Sequence, residues 1–301
     1  MLAVPASLVS YVPSPSRGVW HVGPLPIRAY ALCILTGVVV AVWWAQRRWL
    51  ARGGQPGVVA DVASWAVPSG LVGARLYHVT TDPELYFTRG ANPWDAFAVW
   101  HGGLGIWGGV LGGVLGAAYA CRRLGVRLED LAWAVAPALP VAQAIGRLGN
   151  WFNQELYGRP SGLPWALRID PAHRPADTPS IGLYQPMFAY EALWDLGVAV
   201  LVVWAQRRFR LSGWRSFALY VAAYTAGRGW IEALRVDHAN RLLGLRLNDW
   251  TSMVVFTAAV GFLWWGGRGQ PASGVADAGL DGAAAEQHRL VLPHPEAGKQ
   301  A

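Results

Sequence analysis

The sequence predicts an all-α polytopic membrane protein of about seven transmembrane helices, with the N-terminus outside and the C-terminus cytoplasmic. Three observations predict it. Of 301 residues, 53% are hydrophobic and only 14% are charged, well below the roughly 25% charge of a soluble domain. Eighteen Trp and thirty-six Gly suit bilayer interfaces and close helix packing. Arginines gather in short clusters between apolar stretches, the pattern that the positive-inside rule produces.

Each span follows from an apolar run long enough for a bilayer core, about 20 residues. The first is expected over 27–44, with Arg47, Arg48 and Arg52 behind it. The second, 58–79, is interrupted by Pro68 and Gly70 and leads into a wet loop over 80–98. The third, 102–120, is glycine-rich and ends at Arg122, Arg123 and Arg127. The fourth covers 131–148, before a loop over 151–184 rich in Pro and Gly. The fifth, 186–204, precedes Arg207, Arg208, Arg210 and Arg215, and the sixth and seventh cover 216–234 and 250–265. The Arg-rich loops after spans one, three and five are placed in the cytoplasm. Residues 1–266 therefore read as one integral membrane domain. The Ala/Gly-rich stretch 267–301 reads as a disordered cytoplasmic tail.

The net charge of +7 rests on arginine, since Lys299 is the only lysine. Its distribution between apolar spans points to membrane topology and not to nucleic acid. Cys33 and Cys121 lie in apolar spans toward opposite faces, and neither has metal-ligand spacing. No metal or cofactor is implied. Residues 1–20 lack the pattern of a cleaved signal peptide, so the first span is expected to act as its own insertion signal.

The most informative segment is 146–159, which places Arg147, Asn150, Asn153, Gln154, Glu155 and Arg159 at the end of an apolar run. Charge at the edge of a bilayer is costly unless it is paired or used. Arg147, Asn150 and Gln154 fall on one face if the helix continues, and an arginine beside amides suits a phosphate oxygen. In the sixth span Tyr224, Arg228, Glu232 and Arg235 share a face. Glu191 and Asp195 lie one turn apart near the start of the fifth, where acids suit the helix dipole. Arg28 and Tyr30 open the first span, Arg75 closes the second, and His101 precedes the glycine run. Arg28, Arg75, Arg147, Arg159, Arg228 and Arg235 are expected to gather toward the outer leaflet as an anionic headgroup site.

With these residues in place, the chain resembles the prolipoprotein diacylglyceryl transferases from about residue 26 to 253. Segment 146–159 is close to the family signature G-R-x-G-N-[FW]-x-N-x-E-x-[WY]-G-R. Tyr30, Gly73-Ala74-Arg75-Leu76, Trp100-His101-Gly102-Gly103-Leu104, Tyr190-Glu191 and Tyr224…Arg228…Glu232 also fit. The resemblance implies a bacterial inner-membrane enzyme of seven spans with its chemistry toward the outer leaflet. Its partners are phosphatidylglycerol and preprolipoprotein signal peptides with a lipobox cysteine. It implies catalytic roles for Arg147, Arg228, Tyr30, Glu155, Glu232 and His101. It implies phosphatidylglycerol contacts by Arg147, Asn150, Arg228, Tyr224, Gly158 and Arg75. Many members have His where Trp107 and Gln185 stand here, so the acceptor of the thiol proton stays open. An anion transporter and a non-catalytic lipid-binding scaffold are the alternatives that the arginine cluster also suits.

Overall fold

The computed structural model describes residues 10–265 apart from 24, 89, 177, 236–240 and 243–244, and only the backbone of 25, 101, 233, 241, 242 and 245–249. The tail over 267–301 lies outside the described residues. The chain opens with β1 (Val12–Pro13), β2 (Val19–Val22) and β3 (Leu25–Arg28), then α1 (Ala29–Leu50), α2 (Val58–Thr81) and a single turn, α3 (Glu84–Phe87). It continues with α4 (Ile106–Leu124), α5 (Leu128–Val135), α6 (Ala138–Asn153), β4 (Leu167–Arg168) and β5 (Leu183–Tyr184). It closes with α7 (Met187–Phe209), α8 (Gly213–Leu234), β6 (Arg241–Leu242), β7 (Leu245–Arg246) and α9 (Leu247–Trp265).

The molecule is a helical bundle, and each expected span coincides with a long helix or, for the fourth, a helix pair. By length and hydropathy, α1 and α7 can cross a membrane, and α5 with α6 makes a third span if the bent pair counts as one. Glycine dilutes the hydropathy of α4, Arg228 and Glu232 that of α8, and the apolar stretch of α9 is short, Trp250–Trp265. The outer surface is apolar: Leu35 is 60% exposed, Val200 69% and Val254 67%. Large apolar side chains facing outward on several helices are the mark of a lipid-facing surface.

Four local features differ from the sequence reading, each for a physical reason. The fourth span is bent by 47° between α5 and α6, where Pro137 supplies no backbone N–H to continue the ladder. The second span is not interrupted, because α2 runs through Pro68; packing neighbours can carry a proline within an apolar helix. The third span starts at Ile106 and not at 102, because Gly102 and Gly103 take φ of 87° and 71°, outside helical geometry. Short strands stand where only loop is expected: β1 pairs parallel with β4, which pairs antiparallel with β5, and β2 and β3 form a hairpin. Tyr184, Leu167 and Ile169 form the small buried core of that sheet.

The glycines of α2 and α4 set how closely these helices approach. A Cβ on Gly73 would collide with the carbonyl oxygen of Gly108, and one on Gly108 with that of Gly73. A Cβ on Gly109 would meet Ala74 Cβ at 3.4 Å and Gly70 O at 3.7 Å, both ordinary contacts. Gly73→Val is therefore expected to destabilise by about 1–3 kcal/mol through overpacking, while Gly109→Ala stays near neutral. Thermal unfolding of the detergent-solubilised protein reads this difference; equal melting temperatures for the two variants would contradict the packing argument.

Candidate active site

Three helices converge on one buried carboxylate. Glu191, in the first turns of α7, is 4% exposed. Arg147 of α6 places Nε 2.5 Å from its Oε2, and Arg228 of α8 places Nη1 3.5 Å from its Oε1. Arg228 Nη2 donates to Glu232 Oε2 at 2.8 Å, and Arg235 Nη1 reaches the same oxygen at 3.5 Å. The spacing along α8 explains this: Arg228, Glu232 and Arg235 fall at i, i+4 and i+7 and share a face. Asp195 follows Glu191 by one turn and is 2% exposed. Tyr224 and Tyr30 lie within electrostatic reach of Arg147.

The Arg147–Glu191 contact is an ion pair without the alignment of a hydrogen bond, since Glu191 Oε2 has no aligned donor. It engages the Nε edge of the guanidinium. Both Nη groups of Arg147 therefore carry no hydrogen bond to the described residues. Such a fork matches two oxygens of a phosphate. A second cation held by the same carboxylate adds charge from another helix, in surroundings where water screens it little.

The end of α6 and the loop beyond it are fixed from several sides. Asn150, 5% exposed, donates Nδ2 to Glu155 Oε1 at 2.9 Å, and Asn153 Nδ2 reaches the same oxygen at 3.0 Å. Among the described residues Glu155 thus holds amides and not an arginine. The absence of a side chain at Gly149 makes room for the ring of Tyr30. Gln154 leaves the face it was expected to share with Arg147 and Asn150. Its φ of 53° ends the helix, and its side chain donates to Asp170 Oδ2 at 2.7 Å and Pro15 O at 3.1 Å. Gly158 donates its N–H to Gln185 O at 3.0 Å and bridges to Arg235. A Cβ there would stand 2.8 Å from Met187 Sδ and 3.0 Å from Gln185 Cβ, so glycine lets the loop lie this close to the start of α7 without displacing them.

Arg75 organises a second centre. It is 6% exposed. Its guanidinium donates to Ala96 O at 2.9 Å, Gly103 O at 2.9 Å, Gly102 O at 2.5 Å and Asp95 O. It also lies 5.1 Å from the centre of the Tyr86 ring. Its contacts clamp the loop over 95–103. His101 ends the short 3-10 turn Val99–His101 in that loop; its side chain lies outside the described atoms.

The structure thus links Arg147 to Arg228 through Glu191 and pairs Arg228 with Glu232, sets Tyr30 and Tyr224 within electrostatic reach of Arg147, and brings Gly158 to Arg235. It puts Asn150 with Glu155, and Arg75 with the loop of His101. Sequence reasoning missed the central position of Glu191, which it assigned to the helix dipole. The available signal was the pair of acids, Glu191 and Asp195, one turn apart inside an apolar span. A dipole alone does not explain burying both.

Comparison with known proteins extends this picture. The family model for prolipoprotein diacylglyceryl transferase matches residues 17–265. Phosphatidylglycerol–prolipoprotein diacylglyceryl transferase 2 of Streptomyces coelicolor is 60% identical over 85% of this chain and 80% of its own length. The enzyme of that name from Streptomyces griseus is 59% identical over 85% of this chain and 77% of its own. That of Rhodococcus jostii is 52% identical over 87% and 77%. The matched region contains every helix from α1 to α9 and both arginine centres. On the extent of that match and the identity of these relatives, the chain belongs to the prolipoprotein diacylglyceryl transferase family.

Proposed function

We propose that this chain transfers the diacylglyceryl group of phosphatidylglycerol to the thiol of a lipobox cysteine in preprolipoproteins. A thioether forms and glycerol-1-phosphate leaves. The observation that carries the reading is Arg147, whose pair with buried Glu191 leaves both Nη groups without a hydrogen bond among the described residues while Arg228 shares the same carboxylate. The names of the relatives supply the two substrates.

The chemistry follows from the arrangement. The thiolate attacks the glycerol carbon that carries the phosphate ester, and charge grows on the departing phosphate. Arg147 and Arg228 hold that phosphate and stabilise the charge as it develops. Glu191 and Glu232 fix the two guanidinium groups. Asn150, held by Glu155, offers an amide to the headgroup, and Tyr30 and Tyr224 orient the glycerol oxygens. Gly158 lets the signature loop pack against Arg235 and the start of α7. Arg75 clamps the loop that carries His101. No step needs a metal or cofactor.

In this reading the seven helical segments span the bacterial inner membrane, with the N-terminus outside and the C-terminus cytoplasmic. The arginine site then opens toward the outer leaflet, where phosphatidylglycerol and the signal peptide meet. Residues 1–266 form the catalytic domain, and 267–301 have no catalytic part.

The test uses the purified protein in detergent with phosphatidylglycerol and a lipobox peptide containing a single cysteine. Mass spectrometry follows the peptide, with Arg147→Ala beside the unchanged chain. A diacylglyceryl mass gain that disappears in the variant is expected. No gain from an intact, lipid-binding protein would overturn the proposal.

A further inference from the structure

Asp195 is the buried acid that phosphate binding leaves unused. It is 2% exposed, and its Oδ2 has no hydrogen-bond donor. It lies one helical turn from Glu191, so both carboxylates share a face of α7. The groups that face it are Arg147 from α6, Arg228 and Tyr220 from α8, and Glu191 on its own helix. Tyr30 from α1 and Tyr224 from α8 stand beside Arg147.

The other acids of the site are already committed to donors. Glu191 is paired with Arg147 and Arg228, and Glu232 with Arg228 and Arg235. Glu155 accepts from Asn150 and Asn153. Cations and N–H donors stabilise a carboxylate as the anion and make it a poor proton acceptor. Asp195 makes no ion pair among the described residues. Tyr220 does not compete for the proton, because it is a donor to Gln143 Oε1 at 3.2 Å. Trp107 and Gln185 bring no basic nitrogen.

We propose that Asp195 accepts the proton of the lipobox thiol, a role that rests on the transferase reading. The proton passes from sulfur to a carboxylate oxygen of Asp195. The sulfur electron pair forms the C–S bond to the glycerol carbon, and the C–O bond breaks with its pair going to the phosphate oxygen. Asp195 then returns the proton to the departing phosphate monoester, and the carboxylate is restored.

The experiment compares the unchanged protein, Asp195→Asn and Asp195→Glu in the peptide assay from about pH 6 to 9, a range that brackets a free thiol pKa near 8.5. Asp195→Asn is expected to lose about 10²-fold in kcat, the scale of a lost general base, with KM for phosphatidylglycerol unchanged. Its residual rate should climb through the thiol pKa as the thiol ionises unaided, whereas the rate of the unchanged protein should already have levelled off below it. Asp195→Glu should recover part of the rate. An Asn variant within threefold of the unchanged protein overturns the assignment. So does a loss that appears in KM, or an unchanged protein whose own rate climbs through the thiol pKa. Should the Asn variant fail to fold, that last profile still decides. If the unchanged protein makes no product at all, the transferase reading fails and takes this one with it.

Discussion

Glu191→Ala is expected to destabilise the protein by about 3–5 kcal/mol, the cost of removing one partner from a buried ion pair. The size follows from how many groups depend on this one carboxylate. Arg147 and Arg228 come from different helices, and their side chains are only 20% and 18% exposed. Without Glu191 the two guanidinium groups face each other with little water to screen them. Arg228 keeps Glu232, but Arg147 makes no other ion pair among the described residues. The repulsion therefore falls on the junction of α6, α7 and α8. Glu191→Gln keeps the shape and loses the charge, so it should lie between the unchanged protein and the Ala variant. Thermal unfolding in detergent reads the series. An Ala variant as stable as the unchanged protein would show that lipid or water already neutralises the arginines.

The same carboxylate shows where reading the sequence stops. Apolar runs located every long helix, because a bilayer-length stretch of Leu, Val and Trp has few other uses. The signature segment 146–159 located Arg147, Asn150 and Glu155, because polar groups crowded at a span's edge are conspicuous. Glu191 was equally visible, but its meaning depends on which helices lie beside α7, and periodicity within one helix does not give that. Gln154 shows the converse. Helical spacing put it on the face of Arg147, yet an αL residue ends the helix there and turns the side chain to Asp170. Hydrogen bonds to residues 15 and 170 decide its place, and no local pattern encodes them. The sheet of β1, β4 and β5 was invisible for a related reason. Its strands are two residues long, too short for alternation to show. Arg75 lies between these cases: its position near a span's end was legible, but the four carbonyls it holds belong to a loop whose glycines at 102 and 103 bend it back.

Arg147→Lys separates charge from geometry and should cost about 10²–10³-fold in kcat, the scale of losing one aimed donor to a developing oxyanion. A lysine retains a cation that can pair with Glu191, so stability should fall far less than in Glu191→Ala. What it cannot do is meet Glu191 on one edge and offer two parallel N–H groups on the other. Arg147 has that division of labour, with Nε at Glu191 and both Nη groups without a hydrogen bond among the described residues. If the Nη fork acts mainly on the charge that grows as the C–O bond breaks, kcat falls and KM for phosphatidylglycerol moves little. If it only grips the ground-state headgroup, KM rises and kcat stays. Arg147→Ala should lose at least as much kcat as the Lys variant. Steady-state rates with a lipobox peptide, taken beside thermal unfolding of each variant, distinguish these outcomes. A lysine variant with full kcat would mean that positive charge alone suffices, as it would in a protein that merely binds lipid.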